Sequence, residues 1–213
     1  MIEIQGLEKR FEEREIFSNL HLTLERGKVY ALIGKSGSGK TTLLNMLAKL
    51  EKADGGRIDY QGQDLSKLAS QQFFRDHMGY LFQTIGLLDN QSIGDNLDLG
   101  FVGQKVKKEQ RQRLQNEALE QVNLGYLDLE QKVYTLSGGE AQRVALAKLI
   151  LKNPPLILAD EPTAALDPKN SEEVMQLLTG LKNDNRVIVI ATHNPAVWEK
   201  ADVVIDMKEI GHG

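Results

Sequence analysis

The run Gly34-Lys35-Ser36-Gly37-Ser38-Gly39-Lys40-Thr41 stands between an apolar block, residues 29–33, and a helix-like stretch, residues 42–50. Strand, glycine-rich loop and helix in that order leave few folds open, because the strand has to hand over to the helix through a tight backbone curl. Glycine permits the curl, and successive N–H groups then point inward at an anion. The helix N-terminus beneath adds partial positive charge. The segment from Gly34 to Thr42 therefore predicts a phosphate cradle. Lys40 is placed to reach the β- and γ-phosphates of a nucleotide, and the Thr41 hydroxyl to bind Mg²⁺.

The rest of the chain supplies a sheet around this loop. Residues 29–33, 156–159 and 187–191 are continuous apolar blocks that end in polar residues, the pattern of strands buried on both faces of a parallel sheet. Helical segments are expected at 42–50, where Leu43, Met46, Leu47 and Leu50 share a face, and at 140–151 and 171–181. Near the N-terminus, Ile2 and Ile4, then Leu20, Leu22 and Leu24, alternate with polar residues. That is the period of an antiparallel sheet with one wet face. Asp54-Gly55-Gly56 reads as a turn before a further strand, residues 57–60. Helical pattern dominates residues 66–135, notably 107–122, with Leu114, Ala118 and Val122 on one stripe. The expected fold is α/β: a mainly parallel sheet flanked by helices, with an N-terminal antiparallel β-subdomain and an inserted α-helical subdomain. One domain, residues 1–213, is expected, with 1–65 and 136–213 forming the core and 66–135 the lobe.

Bulk properties narrow the chemistry. With 213 residues, 41% hydrophobic and 26% charged, the chain has the makeup of a globular protein that buries a core. No apolar run approaches a membrane span and no leader is visible, so a cytosolic location is expected. The absence of cysteine excludes disulfides, Cys-ligated zinc and thiol catalysis. A net charge of −4 argues against a nucleic-acid partner. The basic cluster Lys105, Lys107, Lys108, Arg111 and Arg113 reads as the solvated face of a helix.

Two further motifs carry chemistry. Asp160 and Glu161 follow the apolar block 156–159, and ligands of open α/β sheets gather beyond the carboxyl ends of strands. Asp160 suits a Mg²⁺ shell, and Glu161 suits the polarisation of an attacking water. Leu136-Ser137-Gly138-Gly139-Glu140 opens the helix that follows. Ser137 and Glu140 have the spacing of a capping box, while the two glycines leave N–H groups bare for an anion.

Taken together these motifs resemble the ATP-binding-cassette (ABC) ATPases, of which LSGGE is the signature, over a stretch from Ile2 to about Met207. The resemblance implies that Phe11 stacks on adenine, and that Gln83 is the Q-loop residue, acting in catalysis and on Mg²⁺. It also makes Asp167 the D-loop acid and His193 the switch histidine. ATP and Mg²⁺ are the implied cofactors, with no other metal. The implied assembly is a head-to-tail dimer, of two copies or of this chain with a paralogue. One protomer offers the cradle, Gln83, Asp160, Glu161 and His193, and the other offers Ser137, Gly138 and Gly139. Separate transmembrane permease subunits are the implied partners, holding the chain on the inner face of the membrane. Residues 84–90 fall in the region that receives them. The chain looks most similar to small export ATPases of the bacteriocin, antimicrobial-peptide, macrolide and lipoprotein type. The alternatives are an importer ATPase, or a soluble ABC ATPase acting on DNA or ribosomes. Phe11 stands where tyrosine is more usual, and Ala164-Ala165 where serine or glycine is common.

Overall fold

The computed structural model describes residues 1–210. Its strands are β1 (Ile2–Phe11), β2 (Arg14–Leu24), β3 (Lys28–Ile33), β4 (Gly55–Tyr60), β5 (Gln63–Asp64), β6 (Met78–Leu81), β7 (Leu156–Asp160), β8 (Val187–Ala191) and β9 (Val203–Asp206). The helices are α1 (Lys40–Leu47), α2 (Ser70–Asp76), α3 (Ile93–Asp98), α4 (Lys108–Gln121), α5 (Gly138–Lys152), α6 (Pro168–Gly180), α7 (Pro195–Trp198) and α8 (Met207–Ile210).

The chain divides into two compact units. The first comprises Met1–Tyr80, Pro155–Glu161 and the chain from Lys182 onward. It carries two sheets, as the two hydropathy patterns predict. One has the order β2-β1-β4-β5 and pairs antiparallel, with Ile2 opposite Leu24 and Ile4 opposite Leu22. The other has the order β6-β7-β8-β3-β9, and its β7-β8, β8-β3 and β3-β9 pairs are parallel. Every residue of β7 and β8 is buried, which is why these strands read as unbroken apolar runs. Leu32, Leu43, Leu47, Leu158 and Val189 join the antiparallel sheet's Ile4, Leu7 and Phe17 in one core.

The second unit, Leu81–Pro154 with Pro162–Leu181, holds α3 to α6. Here α5 packs against α3, α4 and α6, burying Val144, Leu146 and Leu149. Its bounds differ from the expected 66–135. Residues 66–80 stay with the first unit because Phe73 of α2 packs edge-on against Tyr60, ring centroids 5.2 Å apart. The helices α5 and α6 join the second because α6 packs on α5, and α5 on α3 and α4.

Other expectations shift at their edges. The helix α1 starts at Lys40 and stops at Leu47, not at Leu50, which is half exposed. The stop is Lys49, at φ 59°, whose ammonium donates to Leu65 O at 2.6 Å and also to Leu68 O. Gly55 and Gly56 lie inside β4 and do not form a turn. Gly56 takes φ 75°, and a Cβ there would meet Gly6 O at 2.1 Å. Lys105 and Lys107 precede α4, so the basic cluster is only partly helical. On that helix Ala118 is buried, as is Val122 just past its end.

Candidate nucleotide site

In the first unit the loop 34–39 leaves β3 and enters α1 through three glycines of positive φ: Gly34 (146°), Gly37 (77°) and Gly39 (95°). The shape demands them. A Cβ on Gly34 would stand 2.6 Å from Ser38 Oγ, and one on Gly39 would stand 2.8 Å from both Ile16 Cγ2 and Phe17 Cζ. Gly39 occupies the N-cap of α1 and offers no side-chain acceptor, so nothing from the cap side chain satisfies the first-turn N–H groups. Lys40 is buried, and its Nζ donates to Gly34 O (2.8 Å) and Lys35 O (3.3 Å), folding the amine back across the loop. Ser38 Oγ is buried without a hydrogen-bond partner. A buried hydroxyl without a partner is a poor arrangement alone and a good one beside a phosphate. Lys35 and Ser36 lie at the exposed crown of the loop with Gly37.

Behind the loop, Thr41 Oγ1 donates to Asp160 Oδ1 over 3.1 Å. Burial pushes the Asp160 carboxyl above the usual aspartate range, opposed by the Thr41 bond and by Lys40 and reinforced by the neighbouring Glu161. A cation beside it would relieve that cost. The described residues contain no group of three or more His, Cys, Asp or Glu able to hold a metal ion. One hydroxyl and one carboxylate would instead suit a Mg²⁺ that takes its other ligands from water and phosphate. Thr42 follows on α1.

At the end of β7 the backbone turns sharply. Glu161 takes φ 46°, a left-handed conformation uncommon for a non-glycine residue, and its N–H is held by Ala191 O at 2.9 Å. This brings Glu161 Oε1 to 2.9 Å from His193 Nδ1. Glu161 is mostly covered, whereas the His193 side chain is 70% exposed. Below the histidine, Thr192 is fully buried and gives its N–H to Leu32 O. Phe11, at the end of β1, is 45% exposed.

The second unit carries the remaining candidates. Ser137 caps α5 in a complete capping box. Its Oγ accepts from Glu140 N (3.3 Å) and donates to Glu140 Oε2 (2.7 Å), which also receives Ser137 N–H (2.8 Å). These bonds, the backbone one foremost, hold the Glu140 carboxyl below its ordinary range. Tyr126 donates to the other oxygen at 2.7 Å. Gly139 is required by packing: a Cβ there would stand 2.5 Å from Asn170 Oδ1. Gly138 is exposed, and a Cβ there would touch nothing closer than Leu166 Cδ2 at 3.8 Å. Asp167 is the N-cap of α6, accepting from the N–H groups of Lys169 and Asn170 and from Asn170 Nδ2. Asn170 in turn accepts from Arg143 Nη1 at 2.9 Å. Gln83 is exposed just after β6.

Sequence reasoning missed Arg14, whose Nη2 donates to Gly37 O at 2.7 Å, and the Tyr126 and Asn170 contacts above. No periodicity marks them. The pairing of Ser137 with Glu140, by contrast, was legible from its spacing.

A parallel sheet with a glycine cradle, a Thr–Asp pair and a Glu–His pair at its strand ends defines a phosphate-binding-loop ATPase. The comparisons narrow the class. The family model described as ABC transporter matches residues 17–164, and the chain belongs to that family as an ATPase. Among curated proteins it is 37% identical to the macrolide export ATP-binding/permease protein MacB of Shewanella sp. (strain W3-18-1), over 98% of this chain and 33% of that protein. It is 35% identical to the ABC transporter ATP-binding protein YvrO of Bacillus subtilis (strain 168), covering 98% of this chain and 94% of that one. The chain thus spans about a third of MacB but nearly all of YvrO. Among solved structures, the post-hydrolysis dimer of the ATP-binding cassette MJ0796, bound to ADP and Pi, superposes with a TM-score of 0.88 at 30% identity. The match covers 100% of this chain and 96% of that one. The cbiO1 protein of Clostridium perfringens, part of the complex cbiONQ, gives 0.85 at 28% identity over 99% and 85%.

Proposed function

We propose that residues 1–213 work as one ABC cassette that hydrolyses ATP to power export through separate membrane-spanning subunits, paired with a second cassette. The observation that carries the reading is the 2.9 Å pair between Glu161 and His193, set beside the Thr41–Asp160 pair at the same sheet's strand ends.

In this reading the N–H groups of residues 34–42 and the Lys40 ammonium grip the β- and γ-phosphates. Thr41 and Asp160 would hold Mg²⁺, which when bound would neutralise charge on the phosphate oxygens. Glu161 orients a water for in-line attack on the γ-phosphorus and draws off its proton as the bond to the β-phosphate bridging oxygen breaks. His193 fixes the carboxylate through Nδ1 and, being exposed, presents its other ring nitrogen to the γ-phosphate. Phe11 supports the base. Ser137, Gly138, Gly139 and Asp167 face the nucleotide of the paired cassette, as a helix start with exposed N–H groups can. Phosphoryl transfer depends on such positioning more than on covalent chemistry, so residues supplied by two cassettes can complete it.

Support for pairing comes from the dimeric MJ0796 structure, and support for export from the MacB relatives. No helix among the described residues is long and apolar enough to cross a membrane, and in this reading the cassette works with membrane-spanning subunits. It would sit peripherally on the cytoplasmic face.

Glu161→Gln tests the core of the reading. ATP binding is retained, phosphate release falls by about 10²–10⁴-fold, the worth of a general base, and an ATP-bound dimer accumulates on size exclusion. Wild-type phosphate release in this variant would refute the assigned role. For the transporter role, recovery of ribosomes or DNA ends in place of a membrane subunit on affinity purification from native cells would overturn it.

A further inference from the structure

Two residues before Phe11 on β1 stands Lys9, with only 7% of its side chain exposed. Lysine is rarely buried unless paired, and this one is fully paired. Its Nζ lies 2.7 Å from Glu51 Oε1, 2.9 Å from Lys52 O and 3.5 Å from Asp54 Oδ1, all on the turn before β4. Those acceptors use the donors an ammonium has. Asp54 also takes the Arg10 N–H at 2.7 Å and gives its own N–H to Glu8 O at 2.9 Å, so strand and turn are stapled together. The fixed ammonium stands 4.7 Å from the centroid of the Phe11 ring.

We propose that Lys9 is a positioning residue of the nucleotide site: its ammonium closes one face of the Phe11 ring and leaves the other for the base. The proposal rests on the reading of Phe11 as the base platform. Phenylalanine has no hydroxyl through which the protein could anchor the ring, so the anchor has to act on its face. A cation there holds the ring by its quadrupole and draws π density toward itself. The far face becomes electron-poorer and stacks better on an electron-rich purine. The platform's offset from the phosphate cradle is fixed as well, because Phe11 pairs across the hairpin with Arg14, whose guanidinium holds Gly37 O. A ring held in place before binding loses less freedom on stacking.

The test measures binding of Mg-ATP and of Mg-tripolyphosphate, which has no base, to the full chain by calorimetry. Phe11→Ala weakens ATP about tenfold, the worth of one aromatic stack, and leaves tripolyphosphate unchanged. Lys9→Met weakens ATP by about three- to tenfold and leaves tripolyphosphate unchanged, while Lys9→Arg restores most of the loss. Equal losses for both ligands in Lys9→Met would mean that Lys9 only supports the fold, and would overturn the proposal. So would an undiminished ATP affinity. An unaffected Phe11→Ala would remove the platform reading itself, and this proposal with it. Should Lys9→Met fail to fold, Glu51→Gln, which frees the ammonium from its nearest anion, carries the test. A loss of about two- to threefold confined to ATP supports the proposal, and no loss or an equal one overturns it.

Discussion

Two helices of this molecule start beside glycines, and they start in opposite ways. The first turn of α1 follows Gly39, which has no side chain to cap it, and nearby Ser38 Oγ lies buried without a partner. The first turn of α5 follows Ser137, which closes a full capping box with Glu140, reinforced by Tyr126. An uncapped start leaves N–H groups unsatisfied and costs stability until an anion arrives. A capped start stands by itself. The glycines differ to match. Gly39 is held in a left-handed conformation that a side chain resists, whereas Gly139 is an ordinary helical residue kept small by Asn170. Stability has been withheld from the loop that meets the phosphates in our reading and supplied to the helix start that meets the paired cassette's nucleotide.

The largest effect that would break this contrast is Gly39→Ala. The new Cβ meets Ile16 and Phe17 at 2.8 Å while φ stays at 95°, so overpacking and backbone strain add, at about 1–3 kcal/mol each. Thermal unfolding should shift strongly downward and ATP binding should be lost. Gly139→Ala pays for overpacking against Asn170 alone, about 1–3 kcal/mol, and should unfold at a higher temperature than Gly39→Ala. Equal destabilisation by the two would show that both loops are built alike.

Much of this contrast was legible in the chain, and the illegible part has a common cause. The buried strands announced themselves because burial on both faces leaves no polar position in the run, as in residues 187–191. The acids at 160 and 161 were readable as the point where such a run ends. The capping box was readable because its partners are three residues apart. Lys9 with Asp54, Arg14 with Gly37 and Arg143 with Asn170 were not, since each pair is far apart in sequence and meets only through the tertiary fold. The premature end of α1 belongs to the same group, being set by carbonyls of Leu65 and Leu68. Gly55 and Gly56 misled for another reason. Glycine declares that the backbone needs freedom, and it does not say whether a turn or a close strand crossing uses it.

A second prediction sharpens the picture of an α1 start that waits for its ligand. Burial holds the Asp160 carboxyl above its ordinary range, so its ionisation opposes folding in the absence of a cation. For such a group, stability available below the unfolded aspartate pKa is lost as the pH rises through the folded one. Asp160→Asn removes the charge and keeps an oxygen for Thr41. Without nucleotide or Mg²⁺ the melting temperature should rise at neutral pH. The gain should fade in acid, where the wild-type carboxyl is protonated anyway. Phosphate release should be lost at every pH. A lower melting temperature at neutral pH would mean that the carboxylate stabilises the loop even without its cation.

The smallest effect concerns the helix that caps itself. Glu140 is held below the ordinary glutamate range by Ser137 N–H first, then by the Ser137 and Tyr126 hydroxyls. The sign is opposite to that of Asp160: the stabilisation is complete above the unfolded glutamate pKa and is lost as pH falls through the lower folded value. Ser137→Ala should cost about 1 kcal/mol, the usual worth of a cap, read by urea unfolding at neutral pH. Glu140→Gln keeps the shape and removes the charge, so its deficit against wild type should be present at neutral pH and shrink as the pH drops below the ordinary glutamate range. Tyr126→Phe should reproduce a fraction of it, because it deletes one of the bonds that favour the charged form. A deficit that stays constant into acid would mean that the carboxylate is only a shape there, and that α5 owes its start to packing by Asn170 and not to its cap.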